Sequence, residues 1–356
     1  MNKMHIILAK LLVFVVFGAG LSYPQQSPAA SPAPAVRPIT LKYVHAEAEG
    51  ATALLFSVKP FADEVERLTE GRVKFTTYPR GALATPTQNY ELVRTGAVDI
   101  AWVLPGYTPG RFPMSQIGAL PFAWTHAIQG SLAFEPLLER GLFAKETADT
   151  KLLSIHSLGI YYLFTSKKKV TSLADLKGLK IRTTGDYQIK AVSRLGMTPV
   201  AMDMGEAVSA VQTGVVDGVI LSYGITGSFG FTPFVKYAYE LPFFAATGMW
   251  VINKDVWGKI SAKDQRIIEL CATQAALRYS YSEDFIADIR REQFRARGIE
   301  IIKPSEADLN SAIKITQPVW GEWVTDVEKL GYPAKQAMTA LELMRKELGI
   351  GWKPTK

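Results

Sequence analysis

The sequence predicts an α/β protein of two lobes, each a sheet layered with helices, with one long helix bracing both. Three observations carry that expectation. Strand-like and helix-like spacings alternate over residues 40–104, the rhythm of a parallel sheet with helices on its faces. A helix-to-strand turn recurs, as Tyr-Glu-Leu-Val-Arg-Thr-Gly-Ala-Val-Asp at 90–99 and Val-Ser-Ala-Val-Gln-Thr-Gly-Val-Val-Asp at 208–217. An amphipathic run from Ser261 to Ile289 or beyond exceeds what one lobe requires.

Taken in order, the chain opens with a targeting pattern. Lys3 and Lys10 flank an apolar run whose dense part is Leu11–Phe17, and Gly18, Ala19, Gly20 and Ser22 supply small residues for cleavage. Residues 1–22 are therefore expected to be a removable signal peptide, and the mature chain to be exported. The Pro/Ala-rich stretch 23–38 reads as a flexible linker. Strands are expected at Thr40–His45, Val73–Tyr78 and Val98–Leu104, with helices at Ala51–Leu68 and Gln88–Thr95. A second lobe follows, with strands at Leu179–Ile181, Pro199–Met202, Val216–Ser222 and Tyr237–Glu240. Gly248–Asn253 reads as a strand returning to the first lobe. Ser261 is the expected N-cap of the long helix, and Ser305–Leu330 and Pro333–Leu348 are terminal helices. The expected partition is 39–159 plus 249–287 for lobe I and 160–248 plus 288–356 for lobe II.

Composition excludes several functions. With 356 residues, 48% hydrophobic and 21% charged, the chain can bury two cores. The net charge of +7 is dispersed, Lys167–Lys169 being the longest basic run, so no nucleic-acid partner is expected. Cys271 is the only cysteine, which rules out an internal disulfide. His5, His45, His126 and His156 show no metal-ligand spacing. Gly-x-Ser-x-Gly, the P-loop and the dinucleotide fingerprint are absent, and adjacent Asp63 and Glu64 cannot face a common substrate on a helix. No enzyme is expected.

One stretch does carry binding chemistry. Leu-Ala-Asp-Leu-Lys-Gly-Leu-Lys-Ile-Arg at 173–182 ends a short strand at Arg182, and Asp186 is placed to cap the next helix. Ligands of α/β sheets bind beyond the carboxyl ends of strands. A strand-end guanidinium beside a helix N-terminus is a carboxylate receptor; a solvated arginine is the alternative. Aromatic and apolar groups gather at other strand ends: His45, Trp102, Tyr107, Tyr162, Leu221 and Tyr223. Taken singly, each serves packing as well as binding.

The chain resembles the solute-binding proteins of tripartite ATP-independent periplasmic (TRAP) transporters, the DctP-type family. The resemblance rests on residues 173–182, on Leu-Gly-Met-Thr-Pro-Val at 195–200, on Gln-Thr-Gly-Val-Val-Asp-Gly at 212–218 and on Ala-Leu-Pro-Phe at 119–122. It implies a two-lobed periplasmic-binding-protein-like fold that closes on its ligand by hinge motion and delivers it to a membrane permease. It also implies a periplasmic location, and it puts the family's carboxylate-pairing arginine on Arg182. No cofactor is implied, although some members bridge the carboxylate with a metal ion. Sialic-acid-type members carry a second arginine near the position of Tyr162, an asparagine at Leu221 and an acidic residue near Leu104. This chain has aromatic or apolar groups there, so the expected ligand is a monocarboxylate with a hydrophobic or aromatic body. An exported enzyme or a ligand sensor on the same bilobal plan is the alternative.

Overall fold

The computed structural model describes residues 37–45, 51, 54–80 and 82–350. The expected signal peptide and nearly all of the expected linker lie outside them. The first lobe begins with β1 (Ile39–Val44), a helical segment ending in α1 (Lys59–Leu68), β2 (Val73–Tyr78), α2 (Asn89–Arg94) and β3 (Ile100–Val103). Next come α3 (Ala127–Glu139) and β4 (Thr150–Ser157). The chain crosses into the second lobe with β5 (Tyr161–Thr165), β6 (Lys180–Arg182), α4 (Asp186–Arg194), β7 (Thr198–Val200) and α5 (Met204–Thr213). That lobe continues with β8 (Gly218–Leu221), α6 (Tyr223–Ser228) and β9 (Tyr237–Phe244). After β10 (Thr247–Asn253) and α7 (Lys254–Lys259) come α8 (Ala262–Ala296), β11 (Glu300–Ile302), α9 (Glu306–Thr316), α10 (Pro318–Lys329) and α11 (Ala334–Glu347).

Two sheets result, ordered β2-β1-β3-β10-β4 and β11-β9-β5-β8-β6-β7. Each keeps a parallel part, β2-β1-β3 in one and β8-β6-β7 in the other. Neither is wholly parallel, as the local rhythm had implied. β10 arrives from the opposite lobe and runs antiparallel to β3 and β4, and β5 runs antiparallel to β8 and β9.

The echoed turn is one device used twice. Gly96 and Gly214 sit at φ 77° and 79°, a left-handed geometry that closes a helix without a Cβ clash. Three residues later an aspartate locks the parallel strand beside it. Lys42 N donates to Asp99 Oδ2 at 2.7 Å, and Lys180 N donates to Asp217 Oδ2 at 2.8 Å. Each aspartate N–H returns a bond to the same lysine's carbonyl, at 3.1 and 2.7 Å.

α8 spans 35 residues, about 50 Å at 1.5 Å per residue. Ser261 caps it by accepting from Asp264 N at 3.1 Å. Its first part is tied to lobe I, through Ser57 Oγ to the Ala275 carbonyl (2.7 Å) and Ser280 Oγ to the Ser157 carbonyl (2.6 Å). Its later part is tied to lobe II, through Ser222 Oγ to Glu283 (2.8 Å) and Arg291 to Glu240 (2.5 Å). The brace is built as expected.

The C-terminal partition needs correction. The expected Ser305–Leu330 helix breaks at Pro318, whose ring cannot continue the preceding helix and instead starts α10. α9 packs on the second sheet's core, but α10 and α11 do not stay with that lobe. Val319, Trp323 and Leu341 join a cluster with Phe112, Phe134 and Phe143 of the first lobe, and Trp323 Nε1 donates to the Pro113 carbonyl at 2.9 Å.

Candidate ligand site in the interlobe cleft

Arg182 ends β6 between β7 and β8, opposite Val200 and Val219. It is 2% exposed. Nε and Nη2 both donate to the Met202 carbonyl, at 3.2 and 3.0 Å. Among the described residues no carboxylate forms an ion pair with it. Its neighbour across the cleft is Tyr107, on the turn after β3. Burial raises the Tyr107 hydroxyl's pKa, and the adjacent Arg182 charge opposes that rise. The helix N-terminus beside Arg182 is already occupied. Asp186 is not its N-cap; Gly185 is, at φ 88°. Gln116 of lobe I accepts from Asp186 N at 3.0 Å and donates to Asp186 Oδ2 at 3.1 Å. The dipole therefore serves an interlobe contact, and of these two features only the guanidinium is left as a cationic donor.

A cavity of about 270 Å³ opens between the lobes beside Tyr107. Trp102, Leu104 and Tyr107 line it from the first lobe, with Tyr279 from α8. Tyr161, Met204, Ile225 and Phe229 line it from the second. Trp102 and Tyr279 lie nearly parallel, centroids 6.2 Å apart and planes 16° apart. Behind them, Trp102 Nε1 donates to His156 Nε2 at 3.1 Å. That ring stacks on Trp250 at 4.7 Å. Burial pushes His156 down to about 3, so it stays neutral and keeps its acceptor for the indole. The side of the wall formed by Trp102 and Tyr279 is thus aromatic and uncharged, while Arg80 and Asp203 carry charge elsewhere on it. A larger groove of about 790 Å³, among Trp320, Val324 and Met338, shares no lining residue with this cavity.

The structure brings Trp102 and Tyr107 onto the cavity wall and Arg182 behind Tyr107, and it sends the other four sequence candidates elsewhere. Tyr162 yields the wall to its neighbour Tyr161, because successive strand residues point to opposite faces. Its ring instead meets Tyr223 at 5.5 Å. Tyr223 donates to Glu240 at 2.9 Å and lies under the Arg291 guanidinium, 5.0 Å away. Leu221 pairs with Tyr162 inside the sheet and is fully buried. His45 packs beside Tyr43 at 6.0 Å. Tyr279, Phe229, Arg80 and Asp203 line the cavity without having been singled out. The strand-end rule that found Arg182 reaches Asp203, just past β7. Tyr279 follows Cys271 and Ala275 at helical spacing on the buried face of α8. Among the described residues no group of His, Cys, Asp and Glu could hold a metal ion, and no helix is long and apolar enough to cross a membrane.

The family model for bacterial extracellular solute-binding proteins, family 7, matches residues 43–326. The chain belongs to that family. It is similar to a TRAP solute-binding protein from Rhodoferax ferrireducens T118, solved with copurified benzoate, at TM-score 0.82 and 26% identity over 87% of this chain and 98% of that one. It is also similar to a TRAP periplasmic solute-binding protein from Bordetella bronchiseptica with bound (R)- and (S)-mandelate, at TM-score 0.81 and 26% identity over 87% and 100% of the two chains. The sialic acid-binding periplasmic protein SiaP of Vibrio cholerae is 23% identical, covering 80% of this chain and 88% of its own. The chain is a TRAP solute-binding protein of two α/β lobes, not an enzyme.

Proposed function

We propose that this TRAP solute-binding protein captures an aromatic monocarboxylate in the cleft and hands it to its membrane permease. One observation carries the reading: a buried guanidinium without a carboxylate partner among the described residues stands against Tyr107 on the wall of a cavity lined mostly by aromatic and apolar side chains. A buried charge is costly until paired, and an acid's head group would pair it. The acid's ring would lie along Trp102 and Tyr279. Sugar-acid hydroxyls facing those rings would be left unpaired, at about 1–3 kcal/mol each. Benzoate in the Rhodoferax relative and mandelate in the Bordetella relative support this ligand class. In this reading Arg182 meets the carboxylate's charge, so no metal or cofactor is called on. Residues 1–22 direct the chain to the periplasm and are removed there.

The test is a thermal-shift screen of the mature protein, followed by calorimetry. Benzoate, mandelate and 3-hydroxybenzoate should bind 1:1 without turnover. At a hundredfold excess over Kd they should stabilise by about 2.7 kcal/mol. Stabilisation by galacturonate, sialic acid or malate alone would overturn the reading.

A further inference from the structure

Arg80 follows β2 in the first lobe, and its side chain is exposed at the cavity. Its guanidinium carbon lies 4.2 Å from the ring centroid of Phe229, the residue that ends α6 in the second lobe. The contact crosses between the lobes where both residues line the cavity. Among the described residues no carboxylate forms an ion pair with Arg80. Asp203, also on the wall, is engaged at the start of α5, where it accepts from Gly205 N at 2.5 Å. The Tyr107 hydroxyl lies in the fields of Arg182, Asp203 and Arg80 together. One guanidinium, from lobe I, thus lines the cavity, and a second, from lobe II, lies against Tyr107 on its wall.

We propose that Arg80 is a second anion-binding residue of the cleft, so that a bound carboxylate is shared between Arg182 of lobe II and Arg80 of lobe I. The inference rests on the carboxylate reading above and deepens it. A guanidinium on an exposed aromatic face is weakly held, whereas a charge-assisted bond to a carboxylate is stronger and directional. An arriving acid therefore competes well for Arg80. Because the two cations come from different lobes, the acid's charge also opposes their mutual repulsion and favours closure. Arg80 makes the site selective for anions over neutral aromatic amides, beyond what Arg182 alone achieves.

The experiment is calorimetry with benzoate on wild type, Arg80→Gln, Arg80→Lys and Phe229→Leu, at low and at physiological ionic strength. Arg80→Gln should raise Kd roughly tenfold and flatten its salt dependence. Arg80→Lys should recover part of both, and Phe229→Leu should bind benzoate as well as wild type or better. Because Arg80 is exposed, the unliganded melting temperature of Arg80→Gln should match wild type. Wild-type affinity in Arg80→Gln would overturn the proposal. So would equal losses in Arg80→Gln and Phe229→Leu, which would make the pair a stacking contact alone. Failure of wild type itself to bind benzoate would instead strike the underlying carboxylate reading.

Discussion

Lobe II holds two arginines in opposite circumstances, one buried and one partly buried. Arg291, on α8, lies between Glu240 and Asp288, each 2.5 Å away, and covers the Tyr223 ring at 5.0 Å. Arg182, more deeply buried, has the Met202 carbonyl and the Tyr107 side of the cleft. Each lies near a tyrosine, Tyr107 or Tyr223, so residue type does not separate them. Pairing does. The first charge is neutralised by its own chain, and it fastens the long helix to the sheet. The second has no carboxylate partner among the described residues, and in the proposed reading it is left for a guest. In that reading the guanidinium without its own carboxylate serves a receptor, and the one held by carboxylates serves a joint.

Paired substitutions break or sharpen that contrast. Arg182→Met should weaken benzoate binding by about 2–5 kcal/mol, since it removes one partner of a buried charge pair. The unliganded protein should melt no lower than wild type, because an unpaired buried charge has gone. Arg291→Met should do the reverse. It strands Glu240, whose side chain is 9% exposed, and should cost about 2 kcal/mol of folding stability, less than for a fully buried pair because Arg291 is 21% exposed. Benzoate affinity should change by no more than about twofold. Calorimetry and thermal melts on the two proteins separate the roles, and an exchange of the two outcomes would reverse the assignment.

Much of this was legible in the residues. The Thr-Gly-Val-Asp echo marks a real repeated device, because a left-handed glycine and a strand-locking aspartate are local requirements. The long helix announced itself through Ser261, Asp264 and a long amphipathic run, which the structure shows to be one continuous helix. What failed was non-local. α3 and β4 went unread because they are buried on nearly all sides and so show little periodicity. Tyr162 was chosen over Tyr161 because one step in register decides which face a strand residue takes, and sequence does not state the register. Asp186 was read as a cap because its true partner, Gln116, comes from the other lobe. Arg80 and Phe229 are far apart along the chain and meet only through the fold.

The uncharged end of the cleft allows a second test. His156 sits among Trp102, Trp250 and Tyr279 with its pKa pushed down to about 3 by burial. An unfolded histidine titrates near about 6.5. Between those values the unfolded chain binds the extra proton, so stability is complete above about 6.5 and falls as pH drops toward 3. Denaturant titrations of unliganded protein should show a loss of about 2 kcal/mol from this group between pH 6.5 and 5. His156→Gln keeps an acceptor for the Trp102 indole but cannot titrate, so its curve should be flatter by that amount. Equal losses in both proteins would mean that the ring is protonated in place.

The smallest expected effect bears on the aromatic wall itself. If Trp102 and Tyr279 recognise a ring by its π face, more is involved than the exclusion of water. Wild type should then prefer benzoate to cyclohexanecarboxylate, which has the same head group and a similar size. Trp102→Leu keeps an apolar wall but removes the large flat surface and the donor to His156. Benzoate should lose about 1 kcal/mol in that variant, and cyclohexanecarboxylate distinctly less. Calorimetry with both acids on both proteins forms a cycle in which the shared Arg182 contact cancels. A nonzero remainder assigns ring recognition to Trp102. A zero remainder would leave the wall as apolar surface alone, with selectivity resting on the charged end of the cleft.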